Sequence, residues 1–275
     1  MRIAVVGHVE WVEFVRVDHV PRAGEIVQGT ATVSVPAGGG GVAAVQLARW
    51  GAETHLYTAL GDDDLGRRAE HELRARGVIV HVVSRREPQR RAVTLVDAAR
   101  ERTIILAGAR HVPHGADPLP WLDLAGCAAV YITGGDAAAV RHAGAARVVV
   151  ATARVLPLLR DAAIELDALV GSDDDPAEVY APGDLTPAPR LVVRTDGARG
   201  GTFALAGEPA QRYAAMPARV TGDTYGAGDS FAAALTLALG EGCAPAEAVA
   251  LAAARAVEVL AFDGPYPATS SSTAG

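Results

Sequence analysis

Residues 223–231 read Asp-Thr-Tyr-Gly-Ala-Gly-Asp-Ser-Phe, a turn of small residues, bracketed by acids, that runs directly into an apolar segment. The pattern of Phe231–Leu239 predicts a helix, so the backbone N–H groups of Gly226, Ala227 and Gly228 should point at whatever lies in front of it. Such N–H groups and the helix dipole together form an anion site, and glycine lets a phosphate approach closely. Because the turn has no lysine, it does not match the P-loop pattern.

Asp229 lies where the anion should bind, and the residues alone leave two roles open for it. As a helix N-cap, its carboxylate would accept one or two backbone N–H groups. Beside a phosphoryl group, the same carboxylate would accept the proton of an attacking hydroxyl. The second role predicts an enzyme that transfers phosphoryl groups.

The pattern Asp-Thr-x-Gly-Ala-Gly-Asp resembles the signature of the ribokinase-like (PfkB) family of carbohydrate and nucleoside kinases. The resemblance implies that Asp229 is the catalytic base. It implies that the amides of Gly226, Ala227 and Gly228 form the anion hole for the γ-phosphate of ATP. It also implies that Asp223 helps to hold a monovalent cation such as K⁺ near the phosphates.

Length and composition favour one large α/β core. The chain has 275 residues, of which 50% are hydrophobic, and we expect a single domain over 1–275. A net charge of −7 argues against a nucleic-acid-binding protein. Two cysteines, Cys127 and Cys243, do not suggest a disulfide framework. The first residues read as a strand rather than a signal peptide, and no apolar run approaches a membrane span of ~20 residues, so we expect a cytoplasmic protein.

A glycine run precedes the predicted helix Val42–Trp50, after predicted strands at Arg2–Val6, His8–Val17 and Ile26–Val35. Taken alone, such a run is a flexible connection. The resemblance instead implies that these glycines bind the hydroxyls of a sugar. The candidate substrate-binding residues here are Gly38, Gly39 and Gly40.

Two valines stand where the family has hydrogen-bonding side chains. Val12 aligns with an Asp and Val42 with an Asn, and the whole sequence contains no asparagine. A valine cannot hydrogen-bond a sugar hydroxyl. Glu10 lies on the same strand face as Val12, whereas Glu13 should face away. We therefore predict that Glu10 replaces the missing acid as a substrate ligand; the alternative is a surface glutamate.

The segments Arg91–Asp97 and Arg102–Leu106 predict a hairpin. With the earlier strands, the resemblance implies a small β lid formed by about 8–36 and about 90–107. Lids of this kind often pair, so a homodimer through the lid is one arrangement we consider. Arg90, Arg91 and Arg102 would either supply charge to a phosphorylated substrate or lie in solvent at strand ends.

Strands and connections alternate through the remaining chain, which predicts a mostly parallel sheet with helices on both faces. Ligands bind at the carboxyl ends of such strands. Ser172 and Asp175 follow one strand, and the resemblance implies that Ser172 contacts the nucleotide and that Asp175 orients Mg²⁺ through water; a helix cap is the alternative. Thr195, Gly197 and Gly200 follow the next strand and resemble a loop that cradles ATP phosphates.

We therefore predict a ribokinase-like three-layer α/β sandwich with a mostly parallel central sheet, a small β lid and a disordered tail over 269–275. The predicted function is an ATP- and Mg²⁺-dependent kinase acting on a hydroxyl of a small sugar-like or nucleoside substrate, with no nucleic-acid or membrane partner. A kinase-derived binding or regulatory protein is the main alternative. A nicotinamide-dependent enzyme fits less well, because the first strand is not followed by Gly-x-Gly-x-x-Gly.

Overall fold

The computed structural model describes residues 1–217 and 220–267, and the predicted tail at 269–275 lies outside them. Nine strands of this part form one large sheet. They are β1 (Arg2–Val6), β4 (Glu53–Gly61), β5 (Ile79–Arg85), β8 (Ala129–Ile132), β9 (Val149–Thr152), β10 (Ala168–Ser172), β11 (Leu191–Thr195), β12 (Gly201–Leu205) and β13 (Gln211–Tyr213), and four further strands, β2 (Glu10–Arg16), β3 (Ala31–Ala37), β6 (Arg91–Val96) and β7 (Arg102–Ala107), form a second sheet.

The large sheet has the order β13-β12-β11-β10-β9-β8-β1-β4-β5. Neighbouring strands are parallel from β11 through to β5. At the other edge, β12 and β13 are added in antiparallel pairs. Parallel strands need long connections, which the helices supply. The helices are α1 (Gly38–Arg49), α2 (Asp64–Ala75), α3 (Ala137–Ala143), α4 (Leu156–Ala162), α5 (Ala227–Glu241) and α6 (Pro245–Ala256).

Helices cover both faces of the large sheet because the side chains of each buried strand alternate between two cores. In β1, Ile3 and Val5 pack into the core that contains α1, α5 and α6. Ala4 and Val6 pack into the opposite core, with α3 and α4. An apolar strand buried on both faces is typical of a parallel sheet. The predicted three-layer arrangement is confirmed.

The second sheet, which we call the small sheet, has the order β3-β2-β6-β7. Strands β2 and β6 are parallel, and the outer pairs are antiparallel. Phe14 of β2 packs edge-to-face on Tyr225, with ring centroids 4.9 Å apart. The small sheet therefore lies against the turn that precedes α5.

Several predicted boundaries differ from the structure. Helix α1 begins at Gly38, four residues before the predicted start, because its glycines pack against the chain that leaves β1: a Cβ on Gly40 would lie 2.8 Å from the His8 carbonyl oxygen. Close packing thus outweighs the low helix propensity of glycine. The strand predicted from Ile26 begins only at Ala31, and Ile26 is almost fully exposed.

No helix within residues 1–217 or 220–267 combines the length and apolar character needed to cross a bilayer.

Candidate active site

The turn before α5 is capped by a glycine and not by the Asp229 carboxylate. Gly226 is the N-cap, with φ +79°, and no side chain caps the helix. A Cβ at this position would lie 3.0 Å from Cγ1 of Val42 and Cβ of Pro265, so both the dihedral angle and the available space favour glycine. The N-cap role that the sequence left open for Asp229, the third residue of the helix, is wrong.

Backbone donors are left free at this helix start. The Ser230 N–H donates to the Gly226 carbonyl at 2.8 Å and closes the first turn. Within the described residues, the N–H groups of Gly226, Gly228 and Asp229 have no acceptor. A Cβ on Gly228 would meet no atom within 4 Å, so the space beside its Cα is open. Unpaired backbone N–H groups at a helix N-terminus form an anion site.

The Asp229 carboxylate is half-buried beside the first residues of α1. A Cβ added to Gly39 would lie 3.1 Å from Asp229 Oδ1 and would clash with Oγ1 of Thr133. Burial, followed by the negative charge of Glu178, raises the pKa of Asp229 to about 6. Arg154 and Arg102 oppose this shift but do not cancel it. A carboxyl group with a raised pKa accepts a proton more readily than an exposed aspartate.

Glu178 and Arg154 are two residues of this site that the sequence analysis missed. Glu178 Oε1 lies 2.7 Å from Arg154 Nη2, and the same guanidinium also contacts the carboxylate of Asp175. Only 14% of the Glu178 side chain is exposed, and burial raises its pKa. Asp175 caps a short 3-10 turn by accepting the Ala177 N–H at 2.8 Å. The sequence does contain a signal for this arrangement. Asp175-Pro176 is typical of the start of a helical turn, and such a turn brings Glu178, three residues on, beside Asp175.

The predicted nucleotide residues lie together at the carboxyl ends of β10 and β11. Ser172 and Thr195 are register partners, and the Asp173 N–H donates to the Thr195 carbonyl at 2.8 Å. Gly197 and Gly200 form the tight β11–β12 turn with φ +48° and +87°. The structure therefore brings these predicted residues together, and their contact with nucleotide stays a prediction.

Glu10 lies on the other side of the α1 start, at the base of the small sheet. It is 6% exposed, and its Oε1 lies 3.2 Å from Arg90 Nε. His8 Nε2 lies 3.8 Å from the same oxygen, but burial and nearby arginines lower the pKa of His8 to about 3, so the imidazole is neutral near pH 7. Glu10 is therefore buried and is not the surface glutamate of the alternative interpretation. Its role as a substrate ligand stays a prediction.

Gly38 and Gly39 lie between the side chains of Glu10 and Asp229. A Cβ on Gly38 would lie 3.2 Å from Glu10 Cγ, whereas Gly39 approaches Asp229. Consecutive Cα atoms are about 3.8 Å apart, so Glu10 and Asp229 flank a single peptide unit. A small polyol could touch both side chains at once.

Asp223 has a clear structural contact set. Its carboxylate accepts the Tyr225 N–H at 2.8 Å and the Gly264 N–H at 2.7 Å, and the residue is 1% exposed. It thereby joins the turn before α5 to the segment after α6. Its role near a monovalent cation stays a prediction.

Among residues 1–217 and 220–267, no three His, Cys, Asp or Glu side chains group closely enough to hold a metal ion. Asp175 and Glu178 nevertheless place two carboxylates close together, because both contact the Arg154 guanidinium. Mg²⁺ in phosphoryl-transfer sites is typically held by one or two carboxylates together with substrate phosphates. This pair therefore fits a metal that arrives with a nucleotide.

Comparison with known proteins identifies a family whose model matches nearly the whole chain. The model of the pfkB family of carbohydrate kinases matches residues 1–269. A ribokinase from Bacillus subtilis is 40% identical over 76 residues, and one from Dictyostelium discoideum is 34% identical over 109 residues. These two matches span only 26% and 34% of the relatives' own lengths.

Solved structures share the fold over greater lengths. An Arabidopsis thaliana ribokinase solved with ribose and ATP superposes with a TM-score of 0.74 at 20% identity, covering 96% of this chain and 95% of that one. An adenosine kinase from Sinorhizobium meliloti superposes with a TM-score of 0.77 at 20% identity, covering 98% and 96%. At these identities the likeness establishes the fold.

Proposed function

The chain belongs to the pfkB family of carbohydrate kinases, and from this we propose that it transfers the γ-phosphoryl group of ATP to a hydroxyl of a small sugar-like or nucleoside acceptor. The observation that carries the proposal is the Asp229 carboxylate beside the unpaired N–H groups of Gly226 and Gly228. A base and an anion-binding turn within one helical turn are what transfer to a hydroxyl requires. Family membership and the shared fold support the same conclusion.

In the proposed reaction, Asp229 accepts the proton of the acceptor hydroxyl as its oxygen attacks the γ-phosphorus. The bond between that phosphorus and the bridging oxygen of ADP breaks, and ADP leaves with the electron pair. The unpaired N–H groups of Gly226 and Gly228 face the charge that develops on the transferred group. The Ala227 N–H, which donates to the Thr224 carbonyl over a long 3.4 Å contact, is proposed to turn to the phosphoryl group when it binds. Four residues are proposed to hold the nucleotide: Ser172 and Thr195, which end strands β10 and β11, and Gly197 and Gly200 in the turn after β11.

Mg²⁺, when bound with the nucleotide, would neutralise phosphate charge. Asp175 and Glu178 are the residues proposed to hold it. Arg154 fixes both carboxylates, so neither is free to turn away. Glu10, with Gly38, Gly39 and Gly40, is proposed to orient the acceptor so that one hydroxyl faces Asp229.

Acceptor-dependent formation of ADP tests the proposal. The protein, MgATP and single members of a panel of sugars, sugar phosphates and nucleosides are combined, and the product is examined by mass spectrometry. We expect at least one acceptor to gain a phosphoryl group as ADP forms. The proposal fails if no acceptor stimulates ADP formation and the protein does not bind ATP; ATP binding without transfer would favour the regulatory alternative.

The activity should depend on pH through Asp229. Its carboxyl group has a pKa of about 6 and must be ionised to accept a proton. We therefore expect kcat/KM to be flat above this pH and to fall about tenfold per pH unit below it, since kcat/KM reports the free enzyme. Initial rates between pH 4.5 and 8.5 measure this acid limb of the pH profile, with the stability of the protein checked at each pH.

Glu178→Gln supplies the matched test of that assignment. The Glu178 charge raises the pKa of Asp229, so its removal should move the acid limb to lower pH, whatever happens to the maximal rate. A limb that stays in place in Glu178→Gln would assign the titration to another group.

We also propose that two copies of the chain pair through the small sheet. Strand β7 is an edge of that sheet, and all six of its residues are exposed. Its exposed apolar side chains include Ile104, Ile105 and Leu106, at 41%, 56% and 48% exposure. An exposed apolar edge strand is a surface on which a second strand can pair.

Replacing Ile105 by Glu should convert a dimer into a monomer of 28.2 kDa, because a charge would be buried at the contact. Analytical ultracentrifugation measures this directly. Leu122→Glu is the control, since Leu122 is 90% exposed and lies outside both sheets. A wild-type protein that sediments as a monomer at micromolar concentration contradicts the proposal.

A further inference from the structure

The base of the small sheet, beside Glu10, carries two arginines on adjacent chain segments. Arg90 immediately precedes β6, and Arg110 follows β7. Arg91 and Ala107 are partners in the antiparallel β6–β7 pair, so the chain enters β6 and leaves β7 at the same end. A Cβ on Gly108 would lie 3.6 Å from Arg90 Cα, which confirms that the two segments touch.

The two arginines have only one negative charge between them. Arg90 pairs with Glu10, but its Nε–H is buried and makes no hydrogen bond of acceptable geometry. Arg110 has no ion-pair partner in the described part of the chain. Arg154, a third nearby arginine, pairs with two carboxylates of its own, those of Asp175 and Glu178. One guanidinium therefore remains in excess at the Glu10 end of the site.

This excess charge affects its neighbours. The residue as a whole is exposed, but partial removal of its guanidinium from water and then the charge of Arg90 lower the pKa of Arg110. The charges of Arg110 and Arg90 also contribute, after burial, to the depressed pKa of His8. Like charges held close together oppose folding unless an anion joins them. Such a cost is typical of a binding site rather than of a structural element.

The position of the pair relative to Asp229 suggests which ligand the arginines meet. Glu10, which contacts Arg90, and Asp229 flank the peptide between Gly38 and Gly39. A molecule that presents a hydroxyl to Asp229 therefore extends toward the arginines. Guanidinium groups bind phosphates and carboxylates through paired charge-assisted hydrogen bonds.

We propose that the acceptor of this kinase carries an anionic group, a phosphate monoester or a carboxylate, which binds Arg110 and Arg90 while one of its hydroxyls faces Asp229. The inference rests on the proposed kinase function. It makes Arg110 and Arg90 specificity-determining residues. It also accounts for Val12 and Val42: an acceptor anchored by an ionic contact depends less on hydrogen bonds to its remaining hydroxyls.

Arg110→Gln is the decisive variant, because Arg110 is exposed and its replacement should leave the fold intact. Arg141→Gln is the matched control: Arg141 is in the last turn of α3, at the end of the helix away from the carboxyl ends of the strands, and donates only to the Asp161 carbonyl. The probes are D-ribose, D-fructose and adenosine as neutral acceptors, D-ribose 5-phosphate and D-fructose 6-phosphate as phosphates, and D-gluconate as a carboxylate. Each is assayed for turnover and, with a non-hydrolysable ATP analogue, for binding by calorimetry.

We expect the wild-type protein to prefer an anionic probe, and Arg110→Gln to weaken binding of that probe and raise its KM by about 10- to 100-fold. The kcat for anionic probes and all constants for neutral probes should change less than about threefold, as should every constant in Arg141→Gln. Comparison of the phosphate probes with the carboxylate probe identifies which anionic group the arginines bind.

Preference for a neutral acceptor, or an equal response of neutral and anionic probes to Arg110→Gln, overturns the inference while the kinase function stands. If no probe is turned over, binding decides: anionic probes that bind wild type no better than Arg110→Gln also overturn it. Failure of the kinase function itself would appear separately, as absence of ATP binding.

Discussion

Asp229→Asn should reduce kcat by about 10³-fold, within the range that general-base catalysis contributes, while ATP affinity changes less than about threefold. The amide keeps the shape of the side chain but cannot accept the hydroxyl proton. The carboxylate is not the helix cap, so its removal costs α5 no hydrogen bond. Steady-state ADP formation and calorimetric titration with ATP measure the two quantities.

Thermal unfolding is the control for this variant. The raised pKa of Asp229 means that its ionised form is disfavoured in the folded state, so its contribution to stability falls as the pH rises through about 6. Asp229→Asn should therefore melt at the same or a higher temperature than wild type at pH 8. A variant with near-normal kcat would remove Asp229 from the reaction, and a lower melting temperature would show that the fold was damaged.

Gly226→Ala should lower kcat by about 10²-fold by displacing the N–H groups in front of α5. The new methyl group would meet Val42 and Pro265 at 3.0 Å, and φ +79° disfavours any residue with a Cβ. Loss of a single anion-hole donor costs about 10²–10³ in kcat. The effect should appear in kcat more than in KM for the acceptor.

Gly242→Ala is the matched control, since it lies at the other end of the same helix. Gly242 has φ +88° and nothing within 4 Å of an added Cβ, so alanine there causes the same backbone strain away from the site. The backbone strain should cost each variant about 1–2 kcal/mol of stability, and the contacts with Val42 and Pro265 should add to the loss in Gly226→Ala. Only Gly226→Ala should lose activity. If Gly242→Ala lowers kcat equally, the loss reflects stability and not the position of the amides.

The fold was predictable because its main signals are local. Ile3 and Val5 alternate with Ala4 and Val6 between two cores, and this appears in the sequence as an uninterrupted apolar run. The turn at 223–229 was equally predictable, since a run of small residues before an apolar helical segment is typical of an anion-binding turn. The same reasoning misplaced the start of α1, because glycines that are required by close contact with the chain after β1 look the same as glycines in a flexible loop.

The site was predictable only in part because it is assembled from segments distant in sequence. Glu178 acts on Asp229 from a turn after β10, and Arg154 reaches the same place from the end of β9. Neither residue belongs to a compact motif, and family spacing favoured Asp175. Nothing in the sequence distinguishes Arg110, since an arginine after a strand is ordinarily a solvated charge. Only the pairing of β6 with β7 brings it next to Arg90.

The central claim is that phosphoryl transfer takes place between Asp229 and the free N–H groups at the start of α5. A crystal structure with ADP, Mg²⁺, an aluminium fluoride mimic of the transferred group and the preferred acceptor tests it most directly. The account predicts the fluoride within hydrogen-bonding distance of the Gly226–Gly228 amides, and the acceptor hydroxyl within about 3.2 Å of the Asp229 carboxylate. A mimic bound elsewhere, or a hydroxyl facing a different base, would contradict it.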